Sequence, residues 1–206
     1  MRTVLVAGDR LGLAERLRAS GAVVRSVPGP FTSRAATRAA FAAAGPAEVV
    51  VHAGFPGAAP DAQPLVETTE ADWDARAEAP LRAARYVCQA AFDQFGAAGG
   101  RIVLLTATAG LVGEPGFAPL ATAAEGVRTF AKTAARQWGD RGITVNCVAV
   151  PVELLGAATD APVDPPALGR AATGDDVADA IALLAADAAG AITGATITVD
   201  GGILMR

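Results

Sequence analysis

Gly100–Val150 reads GRIVLLTATAGLVGEPGFAPLATAAEGVRTFAKTAARQWGDRGITVNCVAV, and its alternation of apolar runs and breakers decides the fold. Ile102–Leu105 is a short apolar run entered from glycines, the pattern of a buried strand. Gly110–Pro119 is rich in Gly and Pro and predicts a loop. From Leu120 to Trp138, the residues Val127, Phe130, Ala131, Ala134 and Trp138 recur at helical spacing, and Gly139 and Gly142 end the helix. Ile143–Ala149 is a second buried strand. Strand, helix, strand in that order implies parallel neighbours joined by a crossover.

The same stretch carries a resemblance. Gly100-Arg101-Ile102-Val103, Ala109-Gly110, Gly113, Gly116 and Gly142-Ile143-Thr144-Val145-Asn146 keep, without a gap, the frame of the short-chain dehydrogenase/reductase family, most like its ketoreductase members. Ile192-Thr193-Gly194, followed by Val199-Asp200-Gly201-Gly202, resembles that family's last strand. The resemblance implies a Rossmann-like, doubly wound parallel sheet in three α/β/α layers. It covers most of residues 1–206, read as a single domain.

It also implies where the chemistry would lie. The family's Ser stands thirteen residues before its Tyr, and its Lys four after. On this frame they fall on Ala107, Leu120 and Ala124, and the family's helix Asn falls on Pro80. None of these side chains can relay a proton or hold a charge. Thr106 and Thr108 flank Ala107 and are expected on the opposite sheet face, since strand side chains alternate. Glu125 is expected to turn away from any pocket, about 100° around the helix from Ala124.

The nucleotide end departs as well. Thr3–Ala7 is the first strand, and Gly8-Asp9-Arg10-Leu11-Gly12 leads into a short helix, Leu13–Ser20, closed by Gly21. Such a turn can present N–H groups to a pyrophosphate. Here it is about four residues shorter than the family's T-G-x-x-x-G-x-G pattern allows, and Asp9 brings a carboxylate to where phosphate would approach. The ribose-binding acid of NAD-dependent members falls on Pro28, and Arg25 or Arg34 is a candidate for a 2′-phosphate. Gly54 ends a strand, Glu48–Ala53, that resembles the family's V-N-N-A-G with Val51 and His52 in place of both Asn. Gly8, Gly12 and Gly54 are thus vestigial cofactor-binding candidates, and no cofactor is expected. His52, the lone histidine, is a candidate base or a structural core residue.

Between Gly21 and Gly54 there is room for one helix, Ser33–Ala44, where the family fits a helix, a strand and another helix. A six-stranded sheet follows, with the family's edge strand deleted. Its strands are predicted near residues 3–7, 22–27, 48–53, 101–106, 143–149 and 196–200. Further helices are predicted from Thr68 or Thr69 to Gly96, kinked at Pro80, and from Thr173 as N-cap. Phe55–Pro64 and Val152–Pro166 read as compact loops.

Composition excludes other classes. The 206 residues are 52% hydrophobic and 18% charged, with net charge −4. That rules out disorder, and without a basic cluster nucleic acid is not an expected partner. No apolar run is long enough for a bilayer, the N-terminus enters a strand at once, and a cytoplasmic location is expected. Cys88 and Cys147 sit in apolar segments, and no Cys/His grouping has metal spacing.

The expectation from sequence is therefore a noncatalytic member of the family. It would act as a structural or regulatory subunit in a homo-oligomer, or in a hetero-oligomer with an active relative, paired through the two long helices and the final strand. The alternatives are an NAD(P)-dependent oxidoreductase with atypical catalytic residues, or a binder of small hydrophobic ligands in a pocket at Ala107, Leu120 and Ala124.

Overall fold

The sheet takes shape where β-branched and aliphatic residues are continuous. In a computed structural model that describes residues 2–57, 61–157 and 165–205, these runs become β1 (Thr3–Ala7), β2 (Val23–Val27), β3 (Val49–His52), β4 (Gly100–Ala107), β5 (Ile143–Val150) and β6 (Thr196–Thr198). Every pairing is parallel, in the order β2-β1-β3-β4-β5-β6. β4 and β5 are buried along almost their whole length, as parallel strands covered on both faces must be. Their register runs from Gly100 opposite Ile143 to Ala107 opposite Val150.

Among the described residues, no strand lies between Pro28 and Glu48, as the shortened spacing predicts. β2 is therefore an edge strand, with Val23 about half exposed. Two arginines guard that region: Arg25 donates to the carbonyls of Ala44 and Pro46 at 3.2 and 2.9 Å, and Arg18 to that of Val24 at 3.3 Å. Charged side chains along an edge oppose addition of a further strand.

The helices are α1 (Leu13–Ala19), α2 (Arg34–Ala44), α3 (Glu70–Trp73), α4 (Ala79–Phe95), α5 (Ala109–Val112), α6 (Ala118–Trp138) and α7 (Gly174–Ala185). α1 packs on α7, while α2, α4 and α6 pack in series, so the sheet is flanked by two groups. This is the Rossmann-like three-layer arrangement. Ser33 caps α2 through the Ala36 N–H. Thr69 with Asp72, and Thr173 with Asp176, form reciprocal capping boxes, each satisfying two otherwise orphaned donors.

One expectation needs correction. The loop expected over Gly110–Pro119 contains a helical turn: α5 is closed by the Gly113 N–H on the Ala109 carbonyl at 2.9 Å. Near Pro80 the helix carries a local irregularity. α3 and α4 are continuous through one wider π turn, Asp74–Glu78, in which the Ala79 N–H reaches the Asp74 carbonyl. That turn brings Pro80 into the first turn of α4, where a missing donor costs little. The loops expected over Phe55–Pro64 and Val152–Pro166 are described only in part, because 58–60 and 158–164 lie outside the described residues. Among the described residues, no helix is long and apolar enough to cross a membrane.

Candidate functional site

A sheet of parallel strands gathers its loops at the strand C-terminal ends, and a crevice forms where successive crossovers leave in opposite directions. Here that crevice is a cavity of about 880 Å³, within the range of small-molecule sites. The turn after β1 contributes Gly8, Asp9 and Arg10, and the loop after β2 contributes Pro30 and Phe31. His52, Gly54 and Pro56 come from β3 and the segment beyond it, and Ala79, Pro80 and Ala83 from α4.

Two glycines set its floor. Gly8 has φ +68, and a Cβ there would lie 2.6 Å from the Gly54 Cα. The β1 turn and the end of β3 approach too closely for any side chain. Gly12, the third cofactor candidate, serves instead as the residue before α1 with φ 63, and it does not line the cavity.

Asp9 decides what this turn can hold. Its carboxylate accepts from the Leu13 N–H at 2.6 Å and the Ala14 N–H at 3.3 Å. These are the first donors of α1, the groups that a Rossmann turn presents to a pyrophosphate. In this chain an intramolecular carboxylate occupies them. Arg25 is committed to the carbonyls of Ala44 and Pro46, and Arg34 lies 3.8 Å from Asp93, so neither is held ready for a 2′-phosphate. The residues present do not fit a dinucleotide bound in the family manner.

The four positions to which the resemblance points, Pro80, Ala107, Leu120 and Ala124, are not brought together around this cavity. Only Pro80 lines it. Ala107 and Ala124 are fully buried and Leu120 is 3% exposed, all within the hydrophobic core. The Thr106 hydroxyl donates to the Ala124 carbonyl at 3.3 Å, so it turns to the side that α6 covers, and alternation along β4 turns Ala107 to the other face. Thr108 lies beyond β4 and reaches the Val150 carbonyl at 3.4 Å. Glu125 is held by Arg128 at 2.6 and 2.7 Å, in a separate cleft between α4 and α6.

His52 is 1% exposed, and its Nδ1 lies 3.4 Å from the Ala7 carbonyl. Burial pushes its pKa down to about 4, against a smaller opposing effect of that hydrogen bond. The ring is therefore neutral at physiological pH. Burial pushes the Cys147 thiol up to about 12 and Cys88 up as well. Neither is a nucleophile near neutrality. Among the described residues, no group of His, Cys, Asp and Glu has the makings of a metal site.

Sequence reasoning missed Arg10, Phe31 and Arg82. Arg10 donates to the Leu155 carbonyl at 3.1 and 3.3 Å and to the Gly57 carbonyl at 3.2 Å. It ties the loop after β5 to the segment after β3, across one end of the cavity. No spacing signal marks an arginine for that task. Phe31, beside the Pro28-Gly29-Pro30 turn, stands edge-on to the His52 ring with centroids 6.0 Å apart. An aromatic residue next to a Pro/Gly turn was the one available hint.

Comparison with known proteins places this geometry. A family model described as enoyl-(acyl carrier protein) reductase matches residues 12–204. Nodulation protein G of Rhizobium meliloti is 36% identical over 151 residues, covering 68% of this chain and 61% of that protein. A 3-oxoacyl-[acyl-carrier-protein] reductase of Synechocystis is 40% identical over 111 residues, 52% of this chain and 45% of the relative. A (3R)-3-hydroxyacyl-CoA dehydrogenase of Rattus norvegicus is 34% identical over 150 residues, 68% of this chain and 58% of the relative. The chain thus spans less than two thirds of the length of each of these relatives.

Proposed function

Since this chain belongs to the short-chain dehydrogenase/reductase family, we propose that it keeps the family's scaffold without performing the family's proton relay by itself. In this reading it serves as a binding or assembly subunit, alone as a homo-oligomer or beside an active relative. The observation that carries the reading is the turn after β1. There Asp9 occupies the donors of α1 that a pyrophosphate would need. The apolar character of Pro80, Ala107, Leu120 and Ala124 supports it. A positioned acid–base group is worth roughly 10²–10⁴-fold in rate, and none of these four side chains can supply one. For assembly, the support is the cleft between α4 and α6, where Leu81 and Phe130 are only half-buried in the single chain.

The names of the relatives favour a second reading, an NAD(P)-dependent oxidoreductase with atypical residues. Two of the three are named as a reductase or a dehydrogenase of acyl thioesters, and such a reaction needs a redox cofactor. On this reading the expectation of no cofactor gives way.

One experiment separates the two. The purified chain is titrated with NADH and NADPH, following Trp73 and Trp138 fluorescence, and assayed with a 3-oxoacyl thioester. The first reading expects no saturable binding below millimolar cofactor and no turnover. It also expects the variant Pro80→Asn, Ala107→Ser, Leu120→Tyr, Ala124→Lys to remain inactive, because the β1 turn is unchanged. Micromolar binding with turnover establishes the second reading. Light scattering tests assembly: a monomer that also fails to associate with a purified active relative removes the subunit role.

A further inference from the structure

His52 is the chain's single histidine, and it forms part of the cavity wall. A carbonyl oxygen can only accept, so the approach of Nδ1 to the Ala7 carbonyl puts the ring proton on Nδ1. Nε2 is then a lone-pair acceptor, buried and without a hydrogen-bond partner among the described residues. A buried acceptor left unpaired is costly, and a ligand that supplies an O–H or N–H recovers that cost.

The rest of the cavity narrows the class. Pro30, Phe31, Pro56, Pro80 and Ala83 make its walls largely apolar, suited to a ring. Its fixed charges are Asp9, Arg10 and Arg82. Asp9 is engaged by α1. Arg10 is spread across two carbonyls. Arg82 is exposed on α4 and forms no ion pair among the described residues. The two guanidinium groups repel a cation and favour a single anionic group.

We propose that this cavity binds a hydroxyaryl acid, its ring against Phe31 and the prolines, its hydroxyl donating to His52 Nε2, and its carboxylate facing Arg10 and Arg82. Nε2 lies beneath the cavity surface. Phe31 stands edge-on to the His52 ring from a loop, and the proposal requires its ring to turn aside to admit the hydroxyl. The inference rests on the reading that a dinucleotide does not fill the same space.

The test uses the full chain labelled with ¹⁵N-histidine, which gives one imidazole to follow. Three probes are titrated: 4-hydroxyphenylacetate, phenylacetate, which lacks the donor, and tyramine, which replaces the acid with a cation. The hydroxy acid is expected to bind at least tenfold more tightly than either analogue and to move the Nε2 resonance, with Nδ1 protonated throughout. His52→Phe is expected to abolish the preference over phenylacetate. Equal binding of the hydroxy acid and phenylacetate overturns the proposal. So does binding that leaves Nε2 unmoved, or a free protein with the proton on Nε2. If His52→Phe does not fold, the resonance shift in the unaltered chain decides. Turnover with NAD(P)H would remove the proposed function, while the donor preference is read independently from the same protein.

Discussion

The seam of β4, α6 and β5 and the turn joining β1 to α1 are built in opposite ways. At the seam eight residues of β4 face eight of β5 in register, α6 packs across both, and the side chains of Ala107, Leu120 and Ala124 are apolar and buried. At the β1 turn a charged side chain, Asp9, occupies the backbone donors at the start of α1. Substitution alone can place polar groups on an apolar seam. Donors held by an internal carboxylate are not freed by changes at the seam. That is why, on the proposed reading, substitution of all four positions is expected to leave the chain inactive.

The largest effect expected is at the turn. Gly8→Val places a branched side chain at φ +68 with its Cβ 2.6 Å from the Gly54 backbone. Left-handed strain of about 1–2 kcal/mol adds to a clash that only main-chain movement relieves. A loss of on the order of 4 kcal/mol is expected in urea denaturation. Gly12→Ala also has positive φ, but its Cβ meets nothing within 4 Å, so only the strain of about 1–2 kcal/mol remains. Equal losses at the two glycines would show that the close approach of β1 and β3 does not constrain this end of the sheet.

The second effect is a pH dependence carried by His52. Its pKa is lowered in the folded state to about 4, chiefly by burial, whereas an unfolded histidine titrates near 6.5. Between those values the unfolded chain binds more protons, so stability rises with pH across that window. The contribution is complete above about pH 6.5 and lost as pH falls toward 4, roughly 3 kcal/mol in all. Denaturation at pH 7 and pH 4.5 should show a difference that shrinks by about 2–3 kcal/mol in His52→Phe. An unchanged difference would mean that the imidazole is not held neutral in the cavity wall.

How much of this was legible in the chain follows the same division. Strand positions, the missing edge strand and the Thr173 cap can be read, and the cap of the long helix narrows to Thr68 or Thr69, because burial period and capping chemistry are local. An irregularity near Pro80 can be read from the proline itself, but its form, a π turn, depends on the whole helix from Glu70 to Phe95. Alternation puts Thr106 opposite Ala107, but which of the two faces α6 covers is read only from the Thr106 contact with the Ala124 carbonyl. The resemblance points to Ala107, Leu120 and Ala124, which are buried in the core, whereas Arg10, Phe31 and His52 line a cavity beyond the strand ends. Convergence of residues so distant in sequence leaves no periodic signal.

The smallest effect sharpens the comparison furthest. Asp9→Ala removes both acceptors from the start of α1 and should cost about 1 kcal/mol, as loss of an N-cap does. Thr173→Ala, at the start of α7, removes the hydroxyl that accepts from the Asp176 N–H and should cost about the same. The two caps differ in what removal exposes. At α7 the uncovered N–H meets solvent and can bind water. At α1 the uncovered donors of Leu13 and Ala14 belong to buried residues beside the cavity. Asp9→Ser, which restores one acceptor without the charge, should recover part of the stability. If Asp9 is only a cap over a turn already too short for a dinucleotide, Asp9→Ala and Asp9→Ser will lose stability without gaining affinity for NADPH. If either variant binds NADPH in the micromolar range by calorimetry, the carboxylate alone was the obstacle. The turn would then be as reversible as the seam, and the contrast between the two regions would fall.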